Sequence, residues 1–250
     1  MADIFNMIVQ REEIDSQAFG RTVLQIKNIH CQDDFRELEK EYQEIHNPLY
    51  VYAKIEIERI PEIHFLEEHG FCFMEYHLRM SKKLPQKLYD TSFDDVVVMQ
   101  EVLPEENIDS ILEMAGSIFK TDRIYIDPRM GKDLAQKRYR AYIQKSHQSS
   151  EEKLLKFYDK RTQELISFHT HKQIDNKTVL YFLGGIATKY QGTGACFACE
   201  YHLFNYSIQH GIKKIITHIS GSNYPIINFE FKTMDFKPEQ AFIVLRKIYS

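Results

Sequence analysis

The sequence predicts an α/β (α+β) fold: a mixed, mostly antiparallel sheet with helices on both faces. Three observations carry this. Over residues 50–60, Val51, Ala53, Ile55 and Ile57 alternate with Tyr52, Lys54 and Glu56, the period of a half-buried strand. Residues 153–158 and 164–174 read as a hairpin turning at Asp159-Lys160. A strand over 178–187 then runs into a glycine loop, a helix and another strand, the unit that brings helices onto a sheet.

In chain order, residues 18–26 read as a strand and 33–45 as an amphipathic helix, with Phe35, Leu38, Tyr42 and Ile45 on one face. After the 50–60 strand, Pro61 opens a short helix through Glu68, which Gly70 stops. Residues 71–80 are a strand. The polar stretch 81–95, which carries Pro85, is the linker expected between two units, residues 1–85 and 95–250. Beyond it come a strand at 96–102, helices at 104–119 and 132–145, and the hairpin. The long strand 178–187, a helix at 192–210 ended by Gly211, a strand at 213–219, a helix at 224–234 and a strand at 236–248 complete the chain.

Strand–short helix–strand occurs twice, over 50–80 and 215–248. Aligning Phe71 with Phe236 superposes the two copies at an offset of 165 residues. This echo points to a duplicated half-domain rather than a repeat array.

The chain has 250 residues, 43% hydrophobic and 27% charged, enough for a sizeable core. A net charge of −4 argues against nucleic-acid binding, which depends on Lys and Arg contacts to phosphates. No run approaches the roughly 20 apolar residues of a membrane span, and Met1 to Phe5 lack a signal-peptide pattern. Four cysteines suit a reducing compartment, so a cytoplasmic protein is expected.

The most informative stretch is Leu180 to Cys196. Gly184-Gly185 lies inside a strand, where glycine marks a bulge or the close approach of another backbone. Gly192 and Gly194 then let a loop aim several amides at one point, and the following helix start adds unpaired N–H groups. A plain tight turn has the same glycines; phosphate binding is the functional reading.

Gln191-x-x-Gly194-x-Cys196 resembles the Gln/Arg-x-x-Gly-x-Gly/Ala pyrophosphate loop of the GNAT superfamily of N-acetyltransferases. Asn223 and Asp235-Phe236 resemble that family's later Asn and Gly-Phe. The resemblance covers residues 95–250 and implies acetyl-CoA as acyl donor. It places Gly185, Ile186, Ala187, Gln191, Gly192, Thr193, Gly194, Ala195, Cys196, Asn223 and Phe231 at the cofactor. The amino half is similar to a narrower group, acetyltransferases of nucleotide-linked amino sugars of the dTDP-fucosamine type. Asp15-Ser16-Gln17-Ala18-Phe19-Gly20 and the segment from Phe119 to Pro128 carry that likeness. It implies a truncated GNAT-like half in front of the full one, and Arg123, Tyr125 and Asp127 at the substrate, although an ordinary loop salt bridge is the plainer reading of Arg123 and Asp127.

Acyl transfer to an amine requires a proton acceptor, a stabilised carbonyl oxygen and an acid for the departing thiolate. Backbone amides of Gly185, Ile186 and Ala187 are the oxyanion candidates. His169 and His171, on one strand face, are candidate bases, although paired strand histidines also occur as ordinary core or surface groups. The family's Tyr acid falls on Phe231 counting back from Phe236 and on Glu230 counting forward from Asn223, so one extra residue separates the landmarks. Neither is Tyr, which leaves Tyr224, about two helical turns earlier, as a substitute.

No metal site is expected, because further ligands at useful spacing are lacking. Cys196 and Cys199 read as thiols of the cofactor helix rather than a redox pair. The expected partner is a small-molecule amine, with neither nucleic acid nor membrane, and the reading allows a homodimer. Another amine (peptide, antibiotic or polyamine) and a non-catalytic acyl-CoA-binding module stay open as alternatives.

Overall fold

The apolar strands find their partners in one continuous ten-stranded sheet. The computed structural model describes residues 7–31, 34–92 and 94–249. The first part runs β1 (Ile8–Arg11), α1 (Glu13–Phe19), β2 (Val23–Lys27), α2 (Phe35–His46), β3 (Tyr50–Glu56), α3 (Ile60–Glu68) and β4 (Cys72–Lys83). Next come β5 (Val97–Glu101), α4 (Asp109–Ile118), α5 (Arg123–Ile126), α6 (Lys132–Gln148), β6 (Glu152–Asp159), β7 (Leu165–Asp175) and β8 (Thr178–Ile186). A 3₁₀ turn (Thr188–Tyr190) leads to α7 (Ala195–Gln209), β9 (Lys214–Ser220), α8 (Tyr224–Asn228), a π-helical turn (Phe229–Thr233) and β10 (Lys237–Ile248).

The strand order is β1-β2-β3-β10-β4-β9-β8-β7-β6-β5. Only β2–β3 and β8–β9 pair parallel among the described residues; the other pairs are antiparallel. The last strand therefore sits at the centre, between two strands of the amino half. The echo seen in the sequence becomes a pseudo-two-fold relation. Strands β3 and β9 correspond at an offset of 164 residues, β4 and β10 at 165. Each copy lends its second strand to the other: β10 pairs with β3, and β4 pairs with β9. The registers agree too, since Phe242 faces Glu56 as His77 faces Ser220. Gly70 (φ 83°) and Asp235 (φ 59°) make the same left-handed turn before Phe71 and Phe236, both buried.

The extra residue in the second copy lies between its strands, where α3 is matched by α8 and the π-helical turn. There Met234 N–H donates to Phe229 O, five residues back, the geometry by which a helix absorbs one inserted residue.

Neighbouring residues of one strand serve opposite layers: on β6, Leu155 packs with the α7 side and Leu154 with α4 and α6. In the amino part, α2 and α3 cover β2 and β3 through Phe35, Tyr42 and Leu66.

Several boundaries differ from expectation. Residues 18–26 are not one strand: Gly20, at φ 66°, ends α1, and β2 starts only at Val23, whose N–H donates to Ser16 Oγ at 2.9 Å. The helix expected at 33–45 runs from Phe35, with Asp34 accepting from the amides of Arg36 and Glu37; Asp33 lies outside the described residues, as do Met1 to Phe5. The 81–95 stretch is not wholly linker, because Ser81, Lys82 and Lys83 pair with β9. The 104–119 helix starts only at Asp109, and the helix expected at 224–234 is broken into α8 and the π-helical turn. The four-residue α5 had no legible period. Among the described residues no helix is long and apolar enough to cross a membrane.

Candidate functional site

Strands β8 and β9 pair only from Thr178–Lys214 to Tyr181–Thr217. Beyond Tyr181 they separate, and a cavity of about 400 Å³ occupies the notch and opens to both layers of the fold. Two glycines shape its β8 edge. A Cβ on Gly184 would stand 2.8 Å from His169 Cδ2, and one on Gly185 would stand 1.8 Å from Ile118 Cδ1. At either position an added side chain would therefore force its neighbour, His169 or Ile118, to move.

Ala187 N–H donates to Ile166 O at 2.8 Å, so its amide is committed to β7. Alternation along an antiparallel ladder then turns Gly185 toward β7 as well, and directs the amides of Gly184 and Ile186 to the unpaired edge. Of the three amides expected to meet a carbonyl oxygen, only that of Ile186 faces the notch; Gly184 supplies the second.

The loop at the end of β8 has the shape that glycine permits. Gly192 and Gly194 have φ of 75° and 86°, with open space where a Cβ would be. Helix α7 starts directly after Gly194 and no side chain caps it. Among its first amides, Ala195 N–H donates to Thr193 Oγ1 at 3.4 Å and Phe197 N–H to Gly194 O at 3.0 Å; the loop and the positive end of the helix together suit an anion such as a pyrophosphate. These residues suit the phosphates of a coenzyme A donor, and the notch suits its extended arm.

On the α5–α6 side, Glu75 is buried and accepts from His77 Nε2 at 2.9 Å and Ser220 Oγ at 2.8 Å, with Arg123 Nη1 at 3.5 Å. Burial alone would raise its pKa. The hydrogen bond and charge of His77, then Arg123, outweigh this and hold it near 2. His77 is pulled below its ordinary range, chiefly by burial against the attraction of Glu75. Lys54, on the same wall, is lowered to about 8 by burial and then Arg123; it lies 3.2 Å from His218 Nδ1. Arg138, on α6, is buried. It donates to Asp15 and Asp122, each at 2.9 Å.

On the α7 side the wall holds Cys196, Cys199, Glu200, Asn223 and Glu230. Glu200 and Glu230 each keep an Oε2 atom sealed from solvent with no hydrogen-bond partner. Burial raises Glu200 to about 7 against the pull of Lys82; burial and then Glu200 raise Glu230 well above the carboxylate range. Cys196 is raised by burial and then by Glu200.

The cavity brings together Gly185, Ile186, Cys196, Asn223, Arg123 and His169 from the residues named in the sequence. His171 is buried but does not line it, packing instead against Tyr181 and Tyr206. Burial lowers His169 to about 3 and His171 to about 4, so both imidazoles are neutral and weakly basic. Tyr224 and Phe231 are exposed and outside the cavity wall. Asp127 is buried in a two-point contact with Arg246, at 2.7 and 3.2 Å, and Tyr125 does not line the cavity either. Gln191, Gly192, Thr193, Gly194 and Ala195 form the exposed loop and helix start beyond the notch. The sequence reading missed Glu75, His77 and Glu200, and set Glu230 aside because it is not a tyrosine. Two charged or titratable residues two apart on a strand, Glu75 and His77, were the available signal.

Ten strands, a splayed parallel pair and a glycine loop before a helix can be compared with solved structures. A GCN5-related N-acetyltransferase from Sphaerobacter thermophilus superposes with a TM-score of 0.67 over 97% of this chain and 76% of its own, at 10% identity. The fold is that of the GCN5-related N-acetyltransferases. A counterpart from Kribbella flavida gives a TM-score of 0.61 at 10% identity, covering 92% of this chain and 82% of that one. A tandem GNAT protein from the clavulanic acid biosynthesis pathway gives 0.62 at 9% identity, covering 90% and 75%. The sequence matches no family model and no curated protein. At such identities the likeness is one of GNAT architecture.

Proposed function

We propose that the protein transfers an acetyl group from acetyl-CoA to a primary amine by direct attack, with the donor lying in the β8–β9 notch. The observation that carries this is the placement of a glycine loop and uncapped helix directly beyond a sheet edge with unpaired amides. The loop suits the donor's phosphates. The amides of Gly184 and Ile186 suit its carbonyl oxygen, where preorganised donors stabilise developing negative charge. The acceptor would approach from the Glu75–Arg123 side, where Lys54, Arg123 and Arg138 stand among acidic partners.

A nucleotide-linked amino sugar is the acceptor class we favour, on the resemblance of the amino half and of Phe119 to Pro128. The cavity position of Arg123 supports it, whereas Asp127 belongs to the framework in this reading. We also divide the chain at 1–85 and 95–250, as a truncated half with a full acyltransferase half, on the strength of the pseudo-two-fold relation.

The test has two stages. CoA should raise the melting temperature, since a ligand of the native state stabilises it. Release of free thiol from acetyl-CoA should then follow addition of dTDP- or UDP-linked amino sugars. No stabilisation by CoA would refute the donor site. Turnover only on peptides or polyamines would replace the acceptor class.

A further inference from the structure

Glu200 and Glu230 come from different elements, α7 and the π-helical turn, and line the same cavity wall. Each is half-buried, yet its Oε2 atom is closed off from solvent and bonded to nothing. A buried ionised carboxylate oxygen without a donor is costly, and two adjacent ones are more so. The one cation that both feel is Lys82, which is itself buried and donates to Met234 O at 2.7 Å. Asp235 also attracts Lys82 but is paired with Lys237 at 2.5 Å, so one positive charge faces the two glutamates and the second is left to hold a proton. The other titratable groups facing the pair are Cys196, Cys199 and Tyr181, all raised by burial first and therefore uncharged near neutrality.

The same cavity holds the unpaired β8 edge at Gly184 and Ile186, so this proton borders the notch proposed for the thioester. The inserted residue that makes the π-helical turn lies in the segment carrying Glu230; the corresponding α3 of the first copy has no such turn. Single π-turns of this kind accompany functional sites in many helices.

We infer that Glu230, sharing one proton with Glu200, is the acid that protonates the thiolate leaving the acyl donor. This rests on the acyltransfer reading above. As the amine nitrogen forms its bond to the carbonyl carbon, the carbon–sulfur bond breaks and its electron pair leaves on sulfur. The Glu230–Glu200 proton passes to that sulfur, giving the free thiol. The surplus proton of the new amide nitrogen leaves to water, and the carboxyl pair recovers its proton from solvent. Glu200 acts as a positioning residue, keeping the proton on the pair by its own charge.

Infrared difference spectroscopy of the full chain at pH 7, with no ligand, tests the shared proton directly. The carbonyl stretch of an un-ionised carboxylic acid should be present, and should lose intensity in Glu230→Gln, where only the part held by Glu200, raised to about 7 by burial against Lys82, remains. Glu200→Gln should weaken it and shift its titration to lower pH. Thiol release from acetyl-CoA, assayed with the amino-sugar panel, should fall about 10²-fold in kcat for Glu230→Gln with KM for acetyl-CoA unchanged. Glu230→Asp should recover part of the loss. CoA should still raise the melting temperature of each variant, which shows that fold and donor site survive. Absence of the carboxylic band in the unaltered protein, with CoA binding intact, would overturn the acid and leave the acyltransfer reading standing. Failure of the unaltered protein to bind CoA, or to turn over any amine, would remove that reading and this role with it.

Discussion

His77 and Phe242 face each other across the central β4–β10 ladder, and each occupies the other's place in the repeated segment. The pseudo-two-fold axis therefore passes between an imidazole that binds Glu75 and a ring that lies 4.6 Å from the Lys54 ammonium. The same backbone position was given two chemistries: the first copy's strand faces the cavity with Glu75 and His77, whereas the second contributes packing.

This exchange makes a prediction about halves. Residues 95–250 alone would lose β4 and present β9 and both sides of β10 as bare strand edges, which invite pairing with other chains. We expect that piece to aggregate when expressed by itself, and co-expression with residues 1–94 to restore a soluble assembly. Size-exclusion chromatography of both preparations checks this; a soluble, folded 95–250 piece would contradict it.

At the loop, Gly194→Val should cost about 1–2 kcal/mol, because a branched side chain is strained at φ 86°. The fold should survive and the thermal stabilisation by CoA should vanish. Retained stabilisation would place the donor elsewhere.

Inside β8, Gly185→Ala should destabilise by about 1–3 kcal/mol, since the new methyl meets Ile118. Adding Ile118→Val should recover part of that loss in urea denaturation. Equal effects in both backgrounds would show that the two side chains do not compete for one space.

Asp127 gives a test that separates framework from substrate. Asp127→Ala leaves the Arg246 guanidinium buried without its two-point partner and should cost about 3–5 kcal/mol. If instead stability holds and only the KM for the acceptor rises, the residue belongs to the substrate site.

Acid should weaken the fold through its buried histidines. His169 and His171 stay neutral in the native state to about pH 3 and 4, whereas in the unfolded chain they charge near pH 6.5. The unfolded state thus binds more protons below pH 6.5, and stability present above it is lost as pH falls. Each contributes a slope of about 1.4 kcal/mol per pH unit between those limits. Denaturation midpoints from pH 7 to 5 should follow this, and His169→Gln should flatten the dependence.

Much of the proposed donor side was legible, because glycine's backbone freedom and the period of β8 are local properties. Residues 178–196 reveal a strand, a turn and a helix start without knowledge of their partners. The proposed acceptor side was not, since Glu75, His77, Arg123 and Ser220 meet only after β4 crosses to β9. Nothing in the alternation of 71–80 states which strand it will join. The echo between the two segments was visible, but the exchange of their second strands was not. Glu230 could be located by counting from Asn223, yet only the inward closure of its Oε2 shows that it carries more than a surface charge.

The central position of β10 also sets the order in which the molecule can be completed. A ribosome releases residues 237–248 after all the other strands of the sheet, so the emerging chain holds β3 and β4 with an empty lane between them until β10 appears. Closure of that lane joins contacts far apart along the chain, the slow kind to form. During the interval the nascent protein has two hydrogen-bonding edges at its middle, and a chaperone that shields them would act at the sheet's centre rather than at its rim.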